Sequence, residues 1–294
     1  MQKSGNIRGY LLGVVAAASY GMNPAFAVPL YSEGFDPMSV IFWRYVLSVP
    51  AVWLLLKMRG GAVDVGGRRN VLGVVGLGIL MVVSSITLFV SYTFMDVGIA
   101  SSLLFVYPLL VALIMMTCYH EPFSVVTILC LLGAGVGVWL LCATGAEGSF
   151  SMTGFLYVVG SALSYAIYLV GLSRKPFNTI PVLSISFWVV LAGALALGLF
   201  VLCRGSLVCP TTPWTWYNCA MLALLPTILS FLCTNAAIER IGSTPTAALG
   251  AFEPVTAVMF GVLMFHEVLG LAQITGLVMV IVCVTLVILR RQRG

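Results

Sequence analysis

The chain has 294 residues, of which 61% are hydrophobic and only 8% charged, with a net charge of +5. Soluble domains carry about 45–50% apolar and about 25% charged residues, so this composition and a mean hydropathy of +1.11 exclude a water-soluble class. The basic residues flank apolar runs, where they orient membrane helices, so we expect the lipid bilayer as a partner and no nucleic acid.

A membrane-spanning helix needs about 20 mostly apolar residues. Ten such spans are predicted, at about 10–30, 37–57, 71–94, 98–119, 123–143, 153–173, 181–203, 213–236, 243–265 and 269–289. The first run is too long for the apolar core of a cleaved signal peptide, so it is expected to remain as a span. The short connections leave no room for a soluble ATPase domain, and no phosphate-binding GxxxxGK[ST] motif is present.

The basic residues also predict the orientation. Of the 14 lysines and arginines, Arg44 lies inside the second span and Arg204 in an outer loop. The remaining 12 all face the cytoplasm if the N-terminus does, which is a strong positive-inside bias. We therefore expect a multi-pass protein of the bacterial inner membrane with both termini in the cytoplasm.

The two halves of the sequence repeat each other at an offset of 145 or 146 residues. The matching positions are Gly9 and Gly154, Ser19-Tyr20 and Ser164-Tyr165, Ser39 and Ser184, Phe42-Trp43 and Phe187-Trp188, Pro108 and Pro254, and His120-Glu121 and His266-Glu267. Five spans per half is an odd number, so the second half must enter the membrane from the opposite face. The predicted fold is all-α integral membrane, with ten transmembrane helices as two five-helix inverted-topology repeats, 1–148 and 149–294. This is the architecture of many secondary transporters, whose substrate sites lie near the midplane between the repeats.

Several of these residues also carry a family resemblance. They are the run Phe42-Trp43-Arg44, the prolines Pro108 and Pro254, the pair Glu253-Pro254, the span-closing Glu121 and Glu267, and Gly276. With them the chain resembles the EamA-like group of the drug/metabolite transporter superfamily over essentially its whole length, although Cys130 stands where glycine is usual. The resemblance implies a ten-helix carrier that exports or exchanges metabolites, and it leaves the substrate open.

Glu253 is the first candidate for substrate binding. It lies about ten residues into the ninth span, where a carboxylate costs about 2.5–3.5 kcal/mol on insertion scales. Such carboxylates face a cavity or a partner, so Glu253 is a candidate proton carrier or amine-binding group. The alternative is that it satisfies backbone groups freed by Pro254, since proline removes a helix hydrogen bond.

Arg44 is the second candidate, about 10 Å deep in the second span at 1.5 Å per residue. Its planar fork suits a substrate carboxylate, but it could equally pair with Glu253 or reach the outer surface. The repeat places Val189 opposite Arg44 and Tyr107 opposite Glu253. Each half therefore contributes one charge, and the sequence symmetry is broken where the charges stand.

The remaining candidates are polar or aromatic groups within the spans. For substrate binding they are Asn23, Tyr20, Tyr107, Trp188, Tyr165, Tyr168 and Asn235, and for hinge or structural roles Pro24, Pro108, Pro254, Glu121 and Glu267. Tyrosine and tryptophan offer an apolar face and one hydrogen bond, which suits amphipathic ligands. At each single position, however, packing between helices or a place in an interfacial belt is the favoured interpretation. Pro24 is expected to loosen the first span beside Asn23.

No metal or cofactor is expected, because the chain has no CxxC motif and its two histidines fall on opposite sides of the membrane. Cys203 and Cys209 are left open between a disulfide and free thiols, and a homodimer through the glycines at 133–137 is also left open. We predict a secondary transporter of a small amino-acid-like, zwitterionic or cationic solute, working by alternating access in efflux or exchange. The alternatives are a phosphorylated-sugar or nucleotide-sugar antiporter, a membrane-embedded enzyme and a scaffold; we expect no enzyme.

Overall fold

The computed structural model describes residues 2–61, 63–91, 94, 100, 103–120, 125–142, 151–253, 255–256, 259 and 270–291. Within these ranges the chain is helical and contains no strand. The helices of the first half are α1 Gln2–Gly21, α2 Asn23–Ser32, α3 Pro37–Met58, α4 Arg68–Ser91, α5 Tyr107–Tyr119 and α6 Val125–Cys142. Those of the second half are α7 Met152–Leu172, α8 Val182–Arg204, α9 Pro213–Ala223, α10 Ser230–Ile241, α11 Ser243–Leu249 and α12 Leu271–Arg291.

Six segments are long and apolar enough to cross a membrane, and each matches a predicted span. They are Ile7–Ser32, Pro37–Met58, Arg68–Ser91, Met152–Leu172, Val182–Arg204 and Pro213–Ile241. Shorter apolar helices lie at Tyr107–Tyr119, Ile128–Leu140 and Ile274–Cys283, within three more predicted spans. Most of 254–269, and with it the end of the ninth span, lies outside the described residues, so the count of ten stays a prediction.

Two spans are less regular than hydropathy alone predicts. The first is interrupted at Met22, which separates α1 from α2 and precedes Pro24 in the first turn of α2. The eighth runs to Ile241, beyond the predicted residue 236, and contains a π-helical turn at Leu224–Leu229 between α9 and α10. Pro226 lies in this turn and has no N–H to donate, which accounts for the local change in hydrogen bonding.

The fourth span is interrupted by a turn, because residues 103 and 104 are already helical. Residues 105 and 106 form a turn, and α5 starts at Tyr107 with Pro108 in its first turn. Pro108 is therefore not inside a continuous helix, as the predicted span 98–119 implied. The first turn is where proline is tolerated best, because the N–H it lacks has no helical partner there.

The helices pack across the two halves rather than within each half. The most extensive contacts join α6 to α12, α4 to α7, α1 to α10, α3 to α8 and α4 to α8. Each of these pairs takes one helix from residues 1–148 and one from 149–294. The core is therefore shared between the halves, and neither half encloses a core of its own.

Contacts at the helix ends establish how α3 and α8 run. Near the start of α3, the Trp43 indole Nε1 donates to the Val208 carbonyl, just beyond the end of α8, at 2.9 Å. Near the start of α8, the Trp188 Nε1 donates to the Val63 carbonyl, just beyond the end of α3, at 2.8 Å. An exposed Asp36–Arg204 ion pair of 2.9 Å joins the same ends as the Trp43 contact. The two helices therefore pack antiparallel.

Candidate functional site

Arg44 is almost fully buried, at 1% exposure, and its guanidinium bonds three protein oxygens. Its Nε donates to Thr227 Oγ1 at 2.6 Å, its Nη1 to Asn23 Oδ1 at 3.2 Å and its Nη2 to the Pro226 carbonyl at 3.3 Å. All three acceptors are neutral. In this conformation Arg44 neither pairs with Glu253 nor reaches the membrane surface; it joins α3 to α2 and to the π-helical turn.

The irregular backbone around Arg44 provides these acceptors. Thr227 also donates to the Leu222 carbonyl at 2.9 Å, which fixes the hydroxyl that Arg44 uses. The Arg44 carbonyl in turn accepts from Ser48 Oγ at 2.6 Å. Pro226 has no N–H for the Leu222 carbonyl four residues earlier, so this carbonyl is available to the Thr227 hydroxyl. Turns of the π-helical kind occur frequently at functional sites.

A small cavity lies at Glu253. Its walls come from α1, α5, α7, α10, α11 and the segment after α11, through Gly13, Ala16, Ala17, Tyr107, Tyr165, Leu169, Thr234, Thr246, Gly250 and Glu253. Its volume is about 10 Å³, which is room for about one water molecule. The site is therefore closed in this conformation, and a larger ligand requires the helices around it to move apart.

Among the described residues that form this wall, Glu253 alone is charged. Its carboxylate accepts a hydrogen bond from the Tyr107 hydroxyl, and its N–H donates to the Gly250 carbonyl at 2.9 Å. Two glycines allow these groups to approach. A Cβ on Gly250 would lie 1.5 Å from the Tyr107 hydroxyl, and one on Gly21 would lie 2.3 Å from the Glu253 carbonyl oxygen. A larger residue at position 250 would displace the Tyr107 hydroxyl, and one at position 21 would displace the backbone of Glu253.

Tyr20 and Tyr165 connect the cavity to its surroundings. Tyr20 is near both Arg44 and Glu253. The Arg44 guanidinium is 5.3 Å from the centroid of its ring, and the Glu253 carboxylate interacts electrostatically with its hydroxyl. Tyr165 packs edge-to-face on Tyr107 at 4.8 Å and stacks on Tyr168 at 6.1 Å. These four residues place Arg44 and Glu253 in one continuous polar and aromatic region.

A hydrogen-bonded chain continues from Tyr168. Its hydroxyl donates to Asn235 Oδ1 at 3.4 Å, and Asn235 Nδ2 donates to Ser186 Oγ at 2.7 Å. Asn235 and Glu239 both line a recess of about 20 Å³. Glu239 also lines a larger open crevice, which we call the vestibule. The vestibule has a volume of about 420 Å³ and is formed by Tyr10, Ser173, Asn178, Ile238, Glu239, Arg240, Ile241 and Gly242.

The other predicted site residues lie elsewhere. Trp188 bonds the loop after α3, away from the cavity walls, and Pro108 lies one residue after Tyr107 in the first turn of α5. Glu121, Glu267 and Pro254 lie outside the described residues, as does the side chain of Pro24. Cys203 and Cys209 are exposed free thiols. Among the residues that the structure describes, no three histidine, cysteine or acidic side chains are grouped as metal ligands.

Sequence reasoning missed several residues of this region, among them Thr227, Thr234, Thr246 and Gly250. Threonine and glycine are ordinary components of membrane helices, so neither type stands out in an apolar run. The one available signal was Pro226 in the middle of the eighth span. A proline there frees a carbonyl for another donor and points to its neighbour Thr227.

Comparison with known proteins identifies a family. The model of the EamA-like transporter family matches twice, at residues 7–143 and 152–289. The uncharacterized transporter YcbK of Bacillus subtilis is 26% identical over 90% of this chain and 87% of its own length. An uncharacterized transporter of Archaeoglobus fulgidus is 28% identical over 84% and 85%. A solved crystal structure superposes with a TM-score of 0.83 over 100% of this chain and 99% of its own, at 17% identity, which establishes a shared fold.

Proposed function

Because the chain belongs to the EamA-like transporter family, we propose that it is a secondary transporter working by alternating access. Its solute is a small amphipathic metabolite of amino-acid-like, zwitterionic or cationic type, moved by efflux or exchange. The observation that carries the proposal is the closed cavity at Glu253, where equivalent positions of the two halves meet.

The cavity residues are related by the sequence repeat. Tyr20 and Tyr165 are equivalent at an offset of 145 residues, and Tyr107 and Glu253 at an offset of 146. Glu253 contacts its own equivalent, Tyr107, and acts electrostatically on Tyr20 and Tyr165. A residue that contacts its own equivalent in the other half must lie close to the axis that relates the two halves. Substrate sites of inverted-repeat transporters lie at that interface.

The helix packing supports an inverted relation between the halves. The equivalent helices α3 and α8 pack antiparallel, as an inverted repeat requires. Their tryptophans make reciprocal contacts, because Trp43 and Trp188 are 145 residues apart and so are their acceptors Val63 and Val208. The contacts of α4 with α7 and of α10 with α1 are equivalent under the same relation. On this basis we propose ten transmembrane helices in two repeats, 1–148 and 149–294.

The vestibule gives one opening of the proposed cycle. It lies at the end of α10, which carries Arg240, and at the end of α7, which is followed by Arg174 and Lys175. By the positive-inside rule this is the cytoplasmic side, and we propose the inner membrane and cytoplasmic termini on the same basis. Movement of α1, α7 and α10 would join the vestibule to the cavity. The reciprocal movement of the equivalent helices α7, α1 and α4 would open the opposite side.

The test of this function is Glu253→Gln in vesicles reconstituted with purified protein. Glutamine keeps the size and hydrogen-bonding capacity but loses the charge, so folding should be intact while transport of the solute falls at least about tenfold, as loss of one charge contact of about 1.4 kcal/mol or more implies. The solute is found by a panel of amino acids, amines and metabolites, with and without a pH gradient.

The matched control is Glu33→Gln, the same substitution at an exposed position after α2. It should leave transport at the parental rate. A folded Glu253→Gln protein that also transports at the parental rate would remove the support for Glu253 as the substrate group. The carboxylate would then have only the role of satisfying nearby backbone.

A further inference from the structure

Arg44 and Glu253 differ in how far the protein itself satisfies their hydrogen-bonding capacity. Among the lysines and arginines whose side chains the structure describes, Arg44 alone is buried. Its Nε, Nη1 and Nη2 are all engaged by protein oxygens. Glu253, by contrast, lines the cavity, and among the described residues its carboxylate has one side-chain donor, the Tyr107 hydroxyl. A carboxylate accepts up to about four hydrogen bonds, so Glu253 retains capacity for a cationic ligand.

Two tyrosines lie in the wall of the cavity beside Glu253. Tyr107 and Tyr165 line the cavity with their rings 4.8 Å apart in an edge-to-face arrangement. The faces of aromatic rings attract ammonium groups, and aromatic cages are a common way to bind quaternary ammonium ligands. A carboxylate beside tyrosine rings therefore suits an organic cation with an apolar body. It repels an anion, and the described residues of the cavity wall include no cationic side chain to receive one.

The approach to the cavity has the same character. Glu239 lines both the vestibule and the recess at Asn235. Asn235 is linked to Tyr165 by side-chain contacts, because it bonds Tyr168 and Tyr168 stacks on Tyr165. Arg240 at the mouth is 41% exposed and pairs with Glu239 at 3.6 Å. Beyond that mouth the described polar groups of the route are an amide, hydroxyl groups and the Glu253 carboxylate. Beyond Arg240, no described lysine or arginine lies along this route to receive a carboxylate.

From this arrangement we propose that the cavity selects organic ammonium ions, primary or methylated amines on an apolar or aromatic body, over amino acids and organic acids. The proposal rests on the function proposed above and narrows its substrate class. Glu253 binds the ammonium charge, Tyr107 and Tyr165 contact its carbon substituents, and Arg44 is a structural residue that does not touch the ligand.

The experiment compares three probes with one phenyl body and different charges: 2-phenylethylamine, L-phenylalanine and 3-phenylpropionate. Each probe is added to the unaltered protein in lipid nanodiscs, and binding is followed by the tryptophan fluorescence of the protein. Uptake into vesicles is measured with 2-phenylethyltrimethylammonium, whose permanent charge prevents passive entry. We expect the amine to bind at least about tenfold more tightly than phenylalanine, as one charge contact of about 1.4 kcal/mol predicts. We expect the acid not to bind and the quaternary ammonium ion to be taken up saturably.

A pair of variants tests the aromatic contribution separately. Tyr165→Phe keeps the ring face and should bind the amine nearly as the parent does. Tyr165→Leu loses the face, and binding should weaken about 2- to 30-fold, the range of cation–π contributions. Equal amine binding by the two variants would overturn the role of the ring.

The outcomes separate this proposal from the function on which it rests. Phenylalanine or phenylpropionate binding as tightly as the amine would overturn the ammonium selectivity while leaving the transporter intact. Absence of binding by all three probes would also overturn it. The transport function would then be judged independently by two-sided labelling of the cavity, which needs no knowledge of the solute.

Discussion

Replacing Arg44 by lysine tests the structural role of the guanidinium. The three acceptors Thr227, Asn23 and the Pro226 carbonyl each bond a different nitrogen of Arg44. The single ammonium nitrogen of lysine cannot occupy three positions, so at least two of these contacts should be lost while the charge is kept.

The expected loss of stability follows from those two contacts. Hydrogen bonds between membrane helices contribute about 0.6 kcal/mol on average and up to about 1.7 kcal/mol. Two of them give about 1–3 kcal/mol, which is about a 5- to 150-fold change in the unfolding equilibrium. Reversible unfolding of the purified protein in mixed micelles measures this difference. Arg8→Lys, at an exposed position of α1, is the matched control and should change stability by less than about 0.5 kcal/mol.

A double-mutant cycle identifies the contact directly. Thr227→Val removes the hydroxyl that accepts from Arg44 at 2.6 Å and keeps the side-chain shape. If the bond forms in the bilayer, the effects of Arg44→Lys and Thr227→Val should be non-additive by more than about 0.5 kcal/mol. Additive effects, or an Arg44→Lys protein as stable as the parent, would refute the view that the π-helical turn is built to hold the guanidinium.

Two further predictions concern the helix ends and the cavity wall. Trp43→Phe and Trp188→Phe each remove one indole–carbonyl hydrogen bond, at opposite ends of α3. A neutral hydrogen bond contributes about 0.5–1.5 kcal/mol. Its loss should therefore shift the conformational equilibrium about 2- to 12-fold toward states that are open at the affected end. Side-specific thiol accessibility should therefore change in opposite directions in the two variants. Changes in the same direction would contradict the view that the two indole bonds help to close opposite sides of the protein. Gly250→Ala should displace Tyr107, whose hydroxyl is 1.5 Å from the added Cβ, and destabilise the fold by about 1–3 kcal/mol. Gly160→Ala, which meets open space, is its control in the same unfolding assay, and equal stability of the two variants would exclude the tight contact.

The membrane helices were predictable from sequence because hydropathy alone determines which segments the bilayer accepts. The predicted span 37–57 differs from the observed Pro37–Met58 by one residue at its end. The same argument could not find the turn at Leu224–Leu229 or the start of α5 at Tyr107. These depend on how one proline is accommodated by neighbouring helices, which a single run of apolar residues does not encode.

The candidate site was predictable only in part, for a similar reason. Glu253 stands out because a charge in a span is costly. It lines the cavity, and its role in substrate binding stays a prediction. The partners of Arg44 could not be deduced, since Thr227 is 183 residues away in sequence. For Trp188, the residue type alone suggested a ligand contact. In the structure its indole donates to the Val63 carbonyl in the loop after α3.

The central claim is that the cavity at Glu253 opens alternately to the two sides of the membrane. Thr234 is 8% exposed and lines this cavity, so Thr234→Cys, in a background with the eight native cysteines replaced, is a nearly isosteric reporter. Cys219, which is 0% exposed and lies outside the cavity wall, serves as the control when it is kept as the single thiol.

The measurement is the rate at which a membrane-impermeant thiol reagent modifies the Thr234→Cys reporter in vesicles of each orientation. The account predicts modification from both sides, slowed from both sides by a transported solute, with Cys219 unmodified from either. Modification of the reporter from one side alone, or from neither, would contradict alternating access through this cavity.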